Sequence, residues 1–251
     1  MSTGDAPAGD WAVAFEVDLP GARAAFSTRR GGVSEGAYES LNLGILTDDR
    51  PDRVERNRGR LATRLGLDPA RIAIGLQVHG TEIATWEAPP APGRDAYAAP
   101  GAELERVDGH TTTQAALGLL VLVADCLPVA LAGGGRAAML HCGWRGLAGG
   151  ILERAAGLFD EPPAAAVGPG IGRCCYEVGP DVLEAFTDLP GVAEGRMLDL
   201  RAAAEAKLRA VRVESVEHVD LCTACRPDLF FSHRRDNGVT GRQAGLVWLT
   251  P

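Results

Sequence analysis

Residues 119–146, LLVLVADCLPVALAGGGRAAMLHCGWRG, determine how the rest of this chain is interpreted. Two apolar runs, Leu119–Ala124 and Ala137–Leu140, each end in a polar cluster, Asp125-Cys126 after the first and HCGWR after the second. The glycines at 133–135 suit a tight reversal, so we predict that the two runs are neighbouring strands. Such strands would bring Cys126 and His141 to similar heights beside one cleft. A thiolate next to an imidazole is a partial transition-metal site.

His79 is the candidate for a third ligand. It follows a short apolar run at 72–76 and precedes Gly80, where the backbone can turn close to a ligand. Two imidazoles and one thiolate leave one tetrahedral position of Zn(II) open, which is the arrangement of a catalytic zinc. The spacing of the three residues is not diagnostic, so ordinary packed side chains are the alternative at this point.

Several motifs accompany these residues, and together they resemble the YfiH family, also called the purine nucleoside phosphorylase or polyphenol oxidase laccase family. They are TRRGGVSEGAY (28–38), SLNLG (40–44), QVHGT (77–81), ADCLPV (124–129), HCGWRGL (141–147), GPGIGRCCYEVG (168–179) and FFSHRRDNGVTGRQAGLVWL (230–249). The family binds metal through the His of QVHG, the Cys of ADC and the His before GWRG. The resemblance therefore implies His79, Cys126 and His141 as metal ligands and catalytic centre.

The resemblance also implies a fold and an activity. The fold is α+β, a single-domain layered α/β/β/α sandwich with the metal cleft at strand ends, and the irregular succession of short strands and helices also favours α+β. The activity is zinc-dependent phosphorolysis of adenosine, inosine, guanosine and methylthioadenosine, with adenosine deamination. Purine nucleosides and inorganic phosphate would be the partners.

Other functions fit the same residues. A His₂Cys set also suits copper, which would make the protein a polyphenol oxidase, although a multicopper enzyme needs more histidines than the five in this chain. A His-paired Cys126 thiol suits a hydrolase, and the same site could serve a ligand sensor. Zinc deaminases require a Glu as acid and base, and no H-x-E motif accompanies these ligands; Asp125 is the nearest carboxylate in sequence.

Four residues are candidates for binding substrate or phosphate. Arg29 and Arg30 precede Gly31-Gly32, where guanidinium groups and backbone N–H groups can hold an anion, and Arg145 lies at the start of a predicted helix. Asn42 is a candidate for hydrogen bonding to a base or ribose. The alternative for residues 29–32 is a solvated turn. The alternative for Asn42 is a side chain that only ties down its own loop.

The overall composition is that of a globular enzyme. The chain has 251 residues and a net charge of −8, which is unfavourable for binding nucleic acid. We expect one domain over 1–251, a loosely ordered tail at 1–10, an exposed proline-rich loop at 88–101 and a cytoplasmic location without membrane spans.

The remaining cysteines are expected to be free thiols, as in other chains of this size in a reducing compartment. Cys222 and Cys225 have the spacing of a zinc knuckle, but the sequence shows no second spaced pair, and Cys174-Cys175 are adjacent. Cys142 should point away from His141 and be packed. His110 and His233 are not assigned to the metal.

The rest of the chain is expected to supply supporting elements. Helices are predicted at 52–65, 111–117, 147–159, 181–186 and 200–211, and further strands at 11–17, 24–28, 165–167, 213–221, 230–235 and 246–249.

Overall fold

The computed structural model describes residues 13–91 and 104–250, and their helices and strands are distributed around two main β-sheets. The strands are β1 (Val13–Leu19), β2 (Ala22–Ser27), β3 (Ile72–Ala73), β4 (Ile83–Trp86), β5 (Gly109–Thr112), β6 (Gly118–Val123), β7 (Leu127–Gly133), β8 (Arg136–Cys142), β9 (Ala164–Val167), β10 (Ala193–Glu194), β11 (Met197–Leu198), β12 (Val216–His218) and β13 (Gln243–Leu249). The helices are α1 (Pro51–Leu65), α2 (Trp144–Ala148), α3 (Ile151–Ala156), α4 (Pro180–Glu184) and α5 (Leu200–Ala210).

Both main sheets are mixed. The first has five strands in the order β1-β2-β13-β6-β3, with β3 parallel to β6 and the other pairs antiparallel. The second has six strands in the order β12-β9-β7-β8-β5-β4, with parallel pairs at its two edges. A separate two-stranded sheet joins β10 and β11.

The alternation of side chains along β6 shows how the layers stack. Leu119 and Val121 belong to an apolar cluster that includes Ala130 and Met139 of the six-stranded sheet, so this cluster fills the space between the sheets. Leu120, on the opposite face, packs with Leu61 of α1. Since all these residues are buried, β6 is covered on both faces.

A third cluster covers the outer face of the six-stranded sheet. Val129 and Leu131 of β7 pack there with Leu147 of α2, Ile151 of α3 and Leu208 of α5. Helices therefore lie outside both sheets, and the α+β prediction with an α/β/β/α arrangement is confirmed.

The strand pairing around the Gly133–Gly135 turn differs from the prediction. The strand that pairs with β8 across this turn is β7, which the sequence analysis missed, whereas the predicted partner, β6, belongs to the other sheet. Gly134 and Gly135 have φ values of 55° and 74°, as a tight hairpin turn requires. Asp125 and Cys126 thus lie where the chain crosses from one sheet to the other.

Three other predicted elements are wrong. Residues 111–117 were predicted as a helix, but 111 and 112 are the end of β5, whose β-branched threonines pair with β8. The predicted helix at 147–159 is two short helices, because Gly150 adopts a left-handed φ of 89° between them. The predicted strand at 230–235 consists of turns and irregular chain.

The other elements were located with modest shifts in their ends. Helix α1 ends where predicted, at a left-handed Gly66. The strand predicted at 213–221 is limited to β12. The tail 1–10 and the part of the 88–101 loop from residue 92 onward lie outside the described residues, while residues 88–91 are irregular. None of the helices described is long and apolar enough to cross a membrane.

Candidate functional site

The three predicted metal ligands come together at the places where the chain passes between the two sheets. His79 lies between β3 and β4, and Cys126 between β6 and β7, so both are on crossings from the five-stranded to the six-stranded sheet. His141 is on β8, paired with Pro128 of β7. The ligand atoms of the three residues all lie within 4.8 Å of one another.

A buried carboxylate, Asp108, organises two of these three residues. It accepts hydrogen bonds from the backbone N–H groups of Val78 (3.0 Å), His79 (2.9 Å) and Gly80 (2.7 Å). Its Oδ1 also lies 2.7 Å from Nδ1 of His141. Burial opposes ionisation of Asp108, but the hydrogen bonds from His141 and the backbone outweigh it and hold the pKa below its usual value.

The Asp108 carboxylate determines which nitrogen of His141 faces the other two candidate ligands, and it also fixes the turn that carries His79. Because Asp108 occupies Nδ1 of His141, only Nε2 of that ring is left as a ligand atom. His79 has a left-handed φ of 61°, which is uncommon for a residue other than glycine, and the N–H groups donated to Asp108 hold the turn in that conformation. Gln77 exchanges two hydrogen bonds of 2.7 Å with the backbone of Leu122, which fastens the same turn to β6.

The charges around His79, Cys126 and His141 favour a bound cation. Burial disfavours the Cys126 thiolate, but the imidazoles of His141 and His79 outweigh it and lower the pKa of Cys126 to about 6. Burial likewise opposes protonation of His141, yet Cys126 and Asp108 raise its pKa to about 9. A thiolate and a carboxylate therefore surround His141, and a divalent cation can replace its proton. The donor set of two imidazoles and one thiolate fits zinc.

Gly143 is packed closely against two of the three candidate ligands, His79 and Cys126. A Cβ at this position would lie 2.9 Å from Cδ2 of His79 and 3.1 Å from Sγ of Cys126. The backbone of Gly143 has φ −75°, which any residue can adopt, so the requirement for glycine here is steric.

The set opens into a cleft of about 510 Å³, a volume in the range of small-ligand sites. Besides the three candidate ligands, the charged and polar residues along it are Thr47, Gln77, Asp125, Arg145, Tyr176, His233, Arg234 and Arg242. Apolar residues supply much of the rest, among them Ile45, Leu46, Ile74, Leu76, Leu122 and Ile171. An apolar wall with three guanidinium groups suits a flat apolar ring bearing, or lying next to, an anion.

Of the predicted substrate-binding residues, only Arg145 lines the cleft. Its guanidinium lies over the ring of Trp144 at 4.3 Å. Arg29 instead stacks on Phe231 and donates to the backbone carbonyls of Glu39 and Pro227. Arg30 pairs with Asp228. These two arginines hold surface segments together and do not line the cleft.

Asn42 is not among the residues that line the cleft, but it lies directly behind them. It is fully buried, its amide donates to Thr47 and Asp49, and its Oδ1 accepts from the N–H groups of Gly44 and Arg242. Its side-chain polar atoms therefore bond within the protein, as in the alternative of a side chain that ties down its own loop.

The sequence analysis missed Asp108, His233, Arg234 and Arg242 as residues of this region. The last three belong to the matched SHRRDNGVTGR stretch, so the motif was present although no role was assigned to it. Asp108 had no such signal, because its partners are backbone N–H groups at 78–80.

Asp125 and Cys142 have structural roles. Asp125 has a φ of 94°, and its carboxylate accepts from Thr223 Oγ1 at 2.6 Å and from the N–H of Arg234 at 2.7 Å. Both carboxylate oxygens are thus engaged in joining the crossing after β6 to the segment that carries Arg234. Cys142 is fully buried in the apolar core, as predicted.

The other four cysteines form a second cluster, which the sequence analysis did not expect. All six cysteines are among the described residues, and none forms a disulfide. The ligand atoms of Cys174, Cys175, Cys222 and Cys225 lie within 4.8 Å of one another. No second pair has the knuckle spacing, and the two further sulfurs come from the adjacent Cys174 and Cys175.

Comparisons with known proteins agree with this geometry. A family model described as "Multi-copper polyphenol oxidoreductase laccase" matches residues 23–250. The protein named purine nucleoside phosphorylase YfiH of Escherichia coli (strain K12) is 37% identical over 242 residues, covering 91% of this chain and 94% of the relative.

Solved structures share the fold along nearly the whole chain. The crystal structure of the Bacillus licheniformis hypothetical protein YfiH has a TM-score of 0.82 at 30% identity, covering 91% of this chain and 92% of the other. That of YlmD from Geobacillus stearothermophilus has a TM-score of 0.81 at 32% identity, covering 92% and 93% respectively.

Proposed function

This chain belongs to the YfiH family, and on that premise we propose that it is a zinc-dependent purine nucleoside phosphorylase acting on adenosine, inosine, guanosine and methylthioadenosine. The observation that carries the proposal is the convergence of His79, Cys126 and His141 within 4.8 Å beside a cleft with three arginines. The relatives named purine nucleoside phosphorylase supply the reaction class.

His79, Cys126 and His141 would hold the zinc ion. When bound, zinc supplies Lewis acidity to a purine heteroatom or to water. Asp108 keeps Nε2 of His141 directed to the centre and fixes the turn that carries His79. Gly143 leaves no room for a side chain between two of the donors, so the set is held compact.

Arg145, Arg234 and Arg242 would bind phosphate. Phosphorolysis requires an anion to attack the anomeric carbon of ribose while negative charge develops on the purine, so positive charge near the attacking group stabilises the arrangement. The chain as a whole has net charge −8, and three guanidinium groups along one cleft therefore create a local site for an anion. Arg234 also lies over Tyr176 at 5.2 Å, which orients its guanidinium plane.

The apolar lining would accommodate the purine and ribose. Leu46, Ile74 and Leu122 are among the residues along the cleft, and burial of a flat ring against such side chains contributes binding free energy without demanding one particular base. This is consistent with several purine nucleosides as substrates.

Adenosine deamination is proposed as a second activity of the same centre. Attack of an activated water on C6 of adenine uses a His/Cys zinc site together with a carboxylate for proton transfer. Among the described residues that line the cleft, Asp125 is the carboxylate, and both its oxygens already accept hydrogen bonds. We therefore expect deamination to be slower than phosphorolysis.

Copper oxidation and thiol hydrolysis make different predictions for the same residues. Of the five histidines, His110 accepts a hydrogen bond from Trp86 and His218 lies beside Glu205, which leaves too few for a multicopper centre. A Cys126 nucleophile would act without metal, so a chelator would leave its activity intact.

The test is elemental analysis of the purified protein combined with product analysis on a panel of purine nucleosides, with and without phosphate. We expect zinc at the three ligands and phosphate-dependent release of hypoxanthine from inosine, and we expect His79→Ala and Cys126→Ala to lose that activity and the zinc bound at these ligands. His218→Ala, at a histidine outside the cleft, is the matched control and should retain zinc and activity. An active metal-free variant, or base release that ignores phosphate, would refute the proposal.

A further inference from the structure

Four cysteines outside the cleft converge from two turns of the chain. Cys174 and Cys175 lie in the turn after Gly172, and Cys222 and Cys225 border the turn at 223–225. Sγ of Cys225 is 3.5 Å from Sγ of Cys174 and 3.4 Å from Sγ of Cys175. The ligand atoms of all four lie within 4.8 Å of one another.

These distances match metal coordination better than disulfide bonding. Disulfide sulfurs are about 2.05 Å apart, so no pair in the cluster is bonded. Four sulfurs bound tetrahedrally to one zinc at about 2.3 Å are about 3.8 Å apart, and the observed separations fall near that value.

The backbone holds the two turns together independently of the sulfurs. Gly170 forms a parallel bridge with Cys222, and the N–H of Thr223 donates to the carbonyl of Gly170 at 3.0 Å. The N–H of Gly172 donates to Sγ of Cys222 at 3.2 Å, the type of contact that orients and stabilises a ligating thiolate. The four thiols are therefore placed by the main chain, as expected for a prearranged site.

Positive charge accompanies both turns. Arg234 donates to the carbonyls of Cys175 (3.4 Å) and Glu177 (2.8 Å), and Arg235 donates to the carbonyl of Thr223 (2.9 Å). Four thiolates around one divalent cation carry a net charge of about −2 when the four protons are released to solvent. The Arg234 guanidinium can offset part of that charge, whereas that of Arg235 is paired with Asp236.

We propose that Cys174, Cys175, Cys222 and Cys225 bind a zinc ion in a closed, structural Cys₄ site. Four protein ligands leave no open position, so this zinc would not take part in chemistry. It would join the 170–176 loop, which places Ile171 and Tyr176 along the cleft, to the segment that carries His233 and Arg234. The site therefore stabilises one wall of the cleft.

Metal content of three proteins tests the proposal. We expect two zinc ions per chain in the wild type, one in the double variant Cys174→Ser/Cys225→Ser, and one in Cys126→Ala, which is the matched cysteine control. Cys174 and Cys225 are exposed, so their replacement should leave the core folded, which circular dichroism verifies. Zinc content that is equal in the wild type and the double variant would overturn the proposal. If the wild type holds one ion and Cys126→Ala retains it, the Cys₄ site stands and the proposed catalytic zinc fails.

Alkylation of the wild-type protein gives a second, independent measurement. Exposed thiols react readily with iodoacetamide when free, and coordination protects them. We expect Cys174 and Cys225 to be protected until a chelator is added, with no reductant needed. Immediate alkylation, or protection relieved by a reductant alone, would contradict zinc binding.

Discussion

The two cysteine-containing clusters of this protein differ in composition and in what supports them. His79 and Cys126 lie at passages between the two sheets, His141 lies on β8 beside them, and a buried carboxylate fixes both histidines. The four cysteines of the second cluster lie in two turns held by a single bridge and by backbone hydrogen bonds. Three mixed donors leave a coordination position for a reactant, whereas four thiolates fill the sphere. The comparison thus separates the cluster proposed for chemistry from the one proposed for stability.

The two clusters also differ in how rigidly the surrounding chain holds them. His141 and Asp108 are buried, and the strands around them are fixed by pairing on both sides. Cys174 and Cys225 are exposed and depend on local turns. A metal should therefore contribute more to local folding at the second cluster than at the first, where the protein already holds the donors in place.

The largest expected effect comes from filling the space beside each cluster. Gly143→Ala places a Cβ 2.9 Å from the His79 ring, and relief of that contact requires a ligand to move. We expect loss of nearly all phosphorolysis and of one zinc, with folding retained because His79 is exposed. Activity and zinc content measured on the folded variant check this.

Gly172→Ala is the matched control at the second cluster. Its Cβ would lie 3.1 Å from Cβ of Cys222 and 3.3 Å from Sγ of Cys174, contacts that shifts of a few tenths of an ångström can relieve. This variant should keep phosphorolysis and lose thermal stability instead. If Gly143→Ala keeps its activity and Gly172→Ala loses it, the assignment of roles to the two clusters is reversed.

A smaller effect is expected from the carboxylate that distinguishes the first cluster. Asp108→Asn keeps the size of the side chain but removes the charge that accepts from His141 and from three backbone N–H groups. Loss of such a partner typically weakens metal binding by about 10- to 100-fold. Competition with a chelator measures the affinity.

Asp49→Asn provides the comparison for a buried carboxylate without a ligand. Asp49 accepts from Ser34 and Asn42, away from the cleft lining. The Asp49→Asn variant should have a lower free energy of unfolding and an unchanged zinc affinity. Equal zinc affinities in the Asp108 and Asp49 variants would show that Asp108 does not position His141.

The sequence predicted which three residues form the first cluster but not the means by which they meet. QVHG, ADC and the HCGW stretch were identified from their motifs, and the layered α+β fold followed from the resemblance. Strand β7 was missed because it begins directly after Cys126 and contains Pro128, a residue rare in central strands. Because β7 was missed, the prediction paired β6 with β8 and so merged two sheets into one. It also placed Cys126 at the end of a strand instead of on the crossing between the sheets.

Tertiary contacts explain what else was missed. Asp108 has no local pattern, since its partners are backbone groups about thirty residues earlier in the chain. The 230–235 stretch has two phenylalanines like a strand, but Phe231 bonds to the side chain of Gln243 and Arg235 to the 223–225 turn. The second cysteine cluster combines an adjacent and a spaced pair, and only the fold brings them together.

The last effect concerns acid sensitivity that does not depend on the metal ions proposed for the two clusters. His110 is fully buried next to Trp86, and burial lowers its pKa to about 4, although Asp108 partly opposes the shift. The unfolded chain takes up a proton below the ordinary value of 6.5, whereas the folded chain does so only near 4. Stability should therefore be complete above pH 6.5 and fall as the pH drops toward 4, by about 3 kcal/mol in total from this residue.

His110→Gln keeps an acceptor for Trp86 and removes the titrating ring, so its free energy of unfolding should fall less steeply between pH 6.5 and 4. Urea unfolding with a chelator present, which empties both clusters, measures this slope against the wild type under the same conditions. A variant that loses stability with pH as steeply as the wild type would assign the acid sensitivity to other groups.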